Sequence, residues 1–113
     1  MGLREFARAK VDLDDAIRLN PRDAAAYRGR AATWFASGDH DRAIADYTEA
    51  IRLYLDTLAA ACAESDDFGA AVRWQTKALA LIADTNPAER TLMESRLDLY
   101  RAGRSYQEDT LAE

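Results

Sequence analysis

The sequence predicts an all-α fold built as a stack of helix-turn-helix repeats, and three observations carry that expectation. Of the 113 residues 49% are hydrophobic, while glycine (5) and proline (2) are scarce, a balance that favours long helices over strands and tight turns. The segment Arg8 to Leu19 (RAKVDLDDAIRL) returns as Arg42 to Leu53 (RAIADYTEAIRL), with seven of twelve aligned positions identical at an offset of 34 residues. That period is the length of a two-helix solenoid unit. Finally, apolar residues recur three and four apart over most of the chain, which places them on single faces of helices.

In chain order, Leu3 to Leu19 supplies the second helix of a unit whose own first helix is absent. Such a half repeat suggests a fragment of a longer array, or a site completed by another chain. Asn20-Pro21 marks the next turn, because Pro21 cannot continue the preceding helix and Asp23 can cap the following one. A full unit then spans residues 24–53. Its first helix aligns Tyr27, Arg30, Ala31 and Trp34 on one face; Gly38-Asp39 stops it and starts the second, which aligns Ala43, Ile44, Tyr47, Ala50 and Ile51. Small residues alternate with large ones there, so that helices can approach closely.

The next turn is missing. From Leu19 to Tyr27 the chain spends eight residues finishing one helix and reversing into another, but from Leu53 to the equivalent Leu55 it spends two. No glycine or proline occurs between Gly38 and Gly69. Ile44, Tyr47, Ile51, Tyr54, Leu55, Leu58 and Cys62 continue one apolar stripe through the place where the turn belongs. One helix is therefore expected from about Asp39 to about Glu64, roughly 39 Å long at 1.5 Å per residue. The competing expectation is a monomer with a very tight turn at Arg52 to Tyr54.

The third unit covers residues 55–83, with Leu55, Leu58-Ala59 and Cys62 on its first helix and Asp67-Phe68, Ala71-Val72, Ala78-Leu79 and Leu81 on its second. Asp66 stands where a glycine would suit the left-handed helix end, at a modest cost for Asp. Asn86-Pro87-Ala88-Glu89 reads as N-cap, first-turn proline and capping-box glutamate, opening a capping helix over residues 87–101. Arg90, Glu94, Arg96, Asp98 and Arg101 form its expected polar outer face, and Leu92, Met93, Leu97 and Tyr100 its inner one. The organisation expected is a single domain over residues 1–104 followed by a flexible tail at 105–113.

The string Ala26-Tyr27, Ala31, Trp34, Gly38-Asp39, Ala43-Ile44, Tyr47, Ala50-Ile51 and Leu53 resembles the tetratricopeptide repeat family, as does the ending Ala16-Ile17-Arg18-Leu19-Asn20-Pro21. The resemblance implies a protein-binding scaffold in which first helices line a concave groove for extended or helical peptides. The residues at groove-facing places are Ala25, Arg28, Ala32 and Phe35 on one helix, then Asp56, Ala60 and Ala63 on the next. The subfamily that clamps an acidic C-terminal carboxylate needs Lys, Asn and Arg at matching places. Arg28 alone is basic there, while Ala32, Asp56 and Ala60 do not fit.

Chemistry finds little purchase. His40 is the one histidine and takes the place of Phe6 and Phe68 in the neighbouring units, a ring at the edge of the core, so no nucleophile-base constellation can be assembled. Cys62, the one cysteine, reads as a small core residue in a reducing, cytoplasmic setting. The pairs Asp14-Asp15 and Asp66-Asp67 read as solvated faces and caps, and Gly29 and Gly69 lie in no phosphate loop. Trp34 holds a packing position, whereas Trp74 is expected on a partly exposed convex face. A net charge of −5 with both signs interspersed leaves no basic stripe for nucleic acid, and no run is long enough to span a membrane. The expectation is a non-catalytic scaffold without metal or cofactor, whose partners are itself and an unidentified protein or peptide. A second copy would cover the stripe from Ile44 to Cys62 in a helix-exchanged homodimer; the alternative is a monomeric peptide-binding piece of a larger protein.

Overall fold

The computed structural model describes residues 2–82 and 86–105, which form five helices: α1 (Leu3–Leu19), α2 (Ala24–Ala36), α3 (His40–Glu64), α4 (Phe68–Leu81) and α5 (Pro87–Arg101). No strand occurs among the described residues. The fold is the all-α, tetratricopeptide-like series of helix-turn-helix pairs that the repeat predicts. It divides into two compact units, Met1–Leu53 and Tyr54–Glu113, and α3 runs through the division.

Local chemistry fixes the helix ends. Asp23 caps α2 by accepting from the backbone N–H of Ala26 at 3.2 Å, Asp67 caps α4 through Ala70 at 3.1 Å, and Asn86 caps α5 through Glu89 at 3.2 Å. Asp39 accepts from Arg42 N–H at 3.2 Å where α3 begins. Three helices end alike. After α2, α3 and α5 a single residue turns left-handed, Gly38 at φ 86°, Asp66 at φ 63° and Gly103 at φ 72°. The next amide then reaches back five residues, Asp39 to Trp34 at 3.0 Å, Asp67 to Cys62 at 2.9 Å and Arg104 to Leu99 at 2.9 Å. That pattern satisfies carbonyls which a helix end leaves without partners. Asp66 does the work that glycine does at the other two places, as its position in the repeat implies.

In the unit of residues 1–53, α1 and α2 pack closely where Gly29 faces Leu13. A Cβ on Gly29 would lie 3.1 Å from Leu13 Cδ2, so the glycine sets the separation. Ala26, Ala31, Ala43 and Leu53 are buried, with Thr33 donating its hydroxyl to the Gly29 carbonyl at 3.0 Å. In the unit of residues 54–113, one cluster joins Ala59, Ala63, Ala71 and Tyr100, with Cys62, Phe68, Val72 and Trp74 packed against it. A second joins Ala78, Ile82 and Met93, covered by Leu55 and Leu79. Gln75 is buried among them, its amide donating to the Met93 carbonyl at 3.0 Å.

Helix α3 is continuous over its 25 residues, about 37 Å, without a break near Tyr54. The tight turn at Arg52 to Tyr54 is not there. Four smaller expectations need correction. His40 is exposed, stacked on Phe35 at 5.1 Å between ring centroids, because its place opens α3 at the surface and not at the edge of the core. Leu92, expected to face inward on α5, is 44% exposed, and Arg96 turns inward instead because the buried Asp56 carboxylate draws it. Ser105 is buried, so the chain stays packed one residue into the expected tail; residues 106–113 lie outside the described residues. Residue 83, the expected end of the third unit, lies outside them too.

Candidate protein interface

Two rows of exposed side chains on α2 and α3 share the same spacing. On α2, Ala25, Arg28, Ala32 and Phe35 follow one another at three, four and three residues, and all four are exposed. On α3, Ile44, Tyr47, Ile51 and Tyr54 repeat that spacing with 63%, 39%, 53% and 66% of their surfaces open. Large apolar side chains scattered singly over a surface are ordinary, but four in one helical row are not.

Each row is held by what lies behind it. Behind α2, Arg30 donates through Nε and Nη2 to both carboxylate oxygens of Asp46, at 2.7 and 2.8 Å, and through Nη1 to Asp14 at 3.0 Å. Its guanidinium thus ties α2 to α3 by a two-point fork and to α1 by a third bond. The two carboxylates hold the Arg30 proton more firmly than usual, against the opposing effect of burial. Lys10 donates to the other oxygen of Asp14 at 2.9 Å, and this bond, assisted by Arg30, brings the Asp14 carboxyl below its ordinary value. Trp34 closes the layer, with Phe6 edge-on at 6.0 Å and the cations of Lys10 and Arg42 at 5.5 and 4.8 Å from its ring.

A cleft of about 450 Å³ opens beside this layer, lined by Lys10, Asp14, Arg30, Trp34, Arg42, Ala45 and Asp46. Its floor is already committed, since Arg30, Asp14 and Asp46 are bonded to one another. The arrangement fixes helices in place and offers no free charge at its base. The Arg30 guanidinium also lies 5.5 Å from the centre of the Tyr27 ring, whose phenol is pushed up by burial and by the nearby Glu49.

The structure sorts the expected groove residues into two sets. Ala25, Arg28, Ala32 and Phe35 are open to solvent, and Ala60 is half-buried. Asp56 and Ala63 are buried instead, Ala63 in the cluster with Tyr100 and Asp56 as acceptor from Arg96 Nη1 at 2.8 Å. Their face of α3 packs within its own unit, so neither presents a groove surface. The expected stripe sorts likewise. Ile44, Tyr47, Ile51 and Tyr54 are exposed and Leu58 is half-buried, but Leu55 and Cys62 pack against the clusters of residues 54–113. The stripe divides after Tyr54, because from Leu55 onward residues of α4 and α5 are there to meet it.

The helical spacing puts Arg30 on the packing face of α2 but does not show its partners, and Asp14, expected as a solvated acid, is one of them. A signal was available: a charged residue at a packing position is costly unless paired, which calls for acids at facing places on α1 and α3. Among the described residues no group of three or more His, Cys, Asp or Glu could hold a metal ion, and no helix is long and apolar enough to cross a membrane.

The profile of one protein family, the tetratricopeptide repeat, matches residues 24–57. No curated protein and no solved structure matches the chain significantly. The matched stretch takes in α2 and enters α3 as far as residue 57, past the point at which a stacked repeat would reverse into its next helix.

Proposed function

We propose that this chain, which carries a tetratricopeptide repeat at residues 24–57, is a non-catalytic protein-interaction scaffold that works as a homodimer, each copy exchanging its C-terminal repeat with the other. One observation carries the reading: α3 continues as a single helix where a turn belongs, and Ile44, Tyr47, Ile51 and Tyr54 lie open along it. A straight helix cannot fold back on itself, so residues 54–64 of α3 cannot cover the row on residues 40–53. A second copy can, and a two-fold pair satisfies both rows at once.

A second reading has its own support. Arg28 and Phe35, exposed on α2 beside Ala25 and Ala32, would bind an extended or helical segment of another protein, as tetratricopeptide repeats do. The two readings are compatible, since the rows lie on different helices. Cytoplasmic residence fits the one cysteine, half-buried and unpaired.

Light scattering tests the first reading. The expected mass is about twice the 12.6 kDa of one chain, and inserting a six-residue Asn-Pro turn after Leu53 should return it to one. A wild type that stays monomeric at high micromolar concentration overturns the homodimer. For the second, Arg28→Ala with Phe35→Ala should keep the helical circular dichroism signal and weaken capture of a partner; unchanged capture removes both residues from the site.

A further inference from the structure

We infer that two copies pair through α3 in an antiparallel register centred on position 49, an inference that rests on the self-association proposed above. A two-fold interface must be self-complementary: if residue i meets residue j of the partner, j meets i. The row on α3 has that property. His40 and Leu58, Ile44 and Tyr54, and Tyr47 and Ile51 are each placed symmetrically about position 49. Antiparallel pairing sets each residue of a pair against the other on the partner copy. Every pair then joins a ring to a branched aliphatic side chain, so bulk meets bulk of a different shape at all three levels. Glu49 itself lies on the opposite side of the helix, half-buried and bonded to Arg52 Nε at 3.0 Å, so the two-fold axis passes no charged side chain.

Charge and area agree. Along that side of α3 from His40 to Leu58 the open side chains are His40, Ile44, Tyr47, Ile51 and Tyr54, flanked by the half-buried Thr48, Ala50 and Leu58, with no Asp, Glu, Lys or Arg among them. Two copies of a chain with net charge −5 can therefore meet there without like charges face to face. The four exposed residues offer on the order of 450 Å² per copy, about 900 Å² for a pair if all of it is covered, the size of a weak association until the flanking Thr48, Ala50 and Leu58 are added. A parallel pairing would set like against like, Tyr47 on Tyr47 and Ile44 on Ile44, and would not be the end-to-end reversal by which consecutive helices of a repeat meet.

Cross-linking distinguishes the registers. In a Cys62→Ser background, an Ile44→Cys chain mixed with an affinity-tagged Tyr54→Cys chain should give a disulfide-linked heterodimer on mild oxidation. Ile44→Cys alone should give none, since its two copies lie about 15 Å apart along the axis, whereas a disulfide needs Cα atoms within about 7 Å. A link between Ile44→Cys copies, with none in the mixture, overturns the register while leaving the homodimer standing. A wild type of dimer mass that gives neither link places the interface elsewhere and overturns this inference alone. Monomer mass for the wild type overturns both. A charge pair checks the result without cysteine: both variants replace the apolar pair, so both weaken the dimer, but Tyr47→Lys with Ile51→Glu should dimerise at least about tenfold more tightly than Tyr47→Glu with Ile51→Glu. Equal weakening in the two, each helical by circular dichroism, overturns the register.

Discussion

Arg30 shows how one side chain can settle the meeting of three helices. Its five donors are fixed in a plane, and three of them find carboxylate oxygens on α1 and α3. Asp46→Ala should cost about 2 kcal/mol in urea denaturation, because it removes two charge-assisted bonds and leaves the cation short of a partner. Removing charge from both sides, as Arg30→Met with Asp46→Leu, should cost less than Asp46→Ala. Asp14 makes the network sensitive to acid. Its folded carboxyl titrates below the ordinary 3.8, so the stability it lends is complete above that value and disappears as pH falls through the lower, folded one. The urea midpoint of Asp14→Asn should therefore fall less steeply than that of wild type as pH is lowered from about 5 to 3. Asp66, left-handed at φ 63°, offers the opposite kind of change: Asp66→Gly should raise stability by roughly 0.5 to 1 kcal/mol, since glycine reaches that conformation without a Cβ penalty.

Helices are where periodicity and capping meet, and their bounds follow closely from both. Asn20-Pro21, Gly38-Asp39 and Asn86-Pro87 each stop or start a helix where their chemistry says they must. Helix α5 depends on its cap, and Asn86→Ala should cost about 1 kcal/mol by leaving the Glu89 amide without its acceptor. A thermal midpoint equal to wild type would show that α5 adds little to the stability of residues 54–113. Helix α3 is legible for the opposite reason, in that nothing interrupts it. With neither glycine nor proline between Gly38 and Gly69, no residue favours the reversal that would separate Leu53 from Leu55. Side-chain direction was harder to read than helix bounds. Leu92 and Arg96 sit four residues apart on α5, and hydropathy alone assigned each to the wrong side.

At the scale of the molecule, an interface made of Ile, Tyr and Leu should respond to solvent as hydrophobic burial does. For the homodimer proposed above, the dissociation constant should change less than about threefold between 0.05 and 0.5 M sodium chloride, because the row from Ile44 to Tyr54 would bring no ion pair to be screened. Sodium sulfate should tighten it. Sedimentation across these salts checks both; weakening by tenfold or more in sodium chloride would mean that charged side chains carry the association.

By itself, the sequence determined the helices, the two-helix repeat and the absent turn. These follow from spacing, capping and the presence or lack of glycine and proline, all of which act over a few residues. Tertiary structure decided which faces remain open. Asp56 was expected in the groove until Arg96, forty positions later, drew it into the interior. Leu55 and Cys62 left the stripe because Ala78, Met93, Ala71 and Tyr100 were there to cover them. Ile44, Tyr47, Ile51 and Tyr54 meet no such neighbours and keep their surfaces. The pattern of a helix tells which residues share a side, but whether that side is buried depends on what the rest of the chain brings against it.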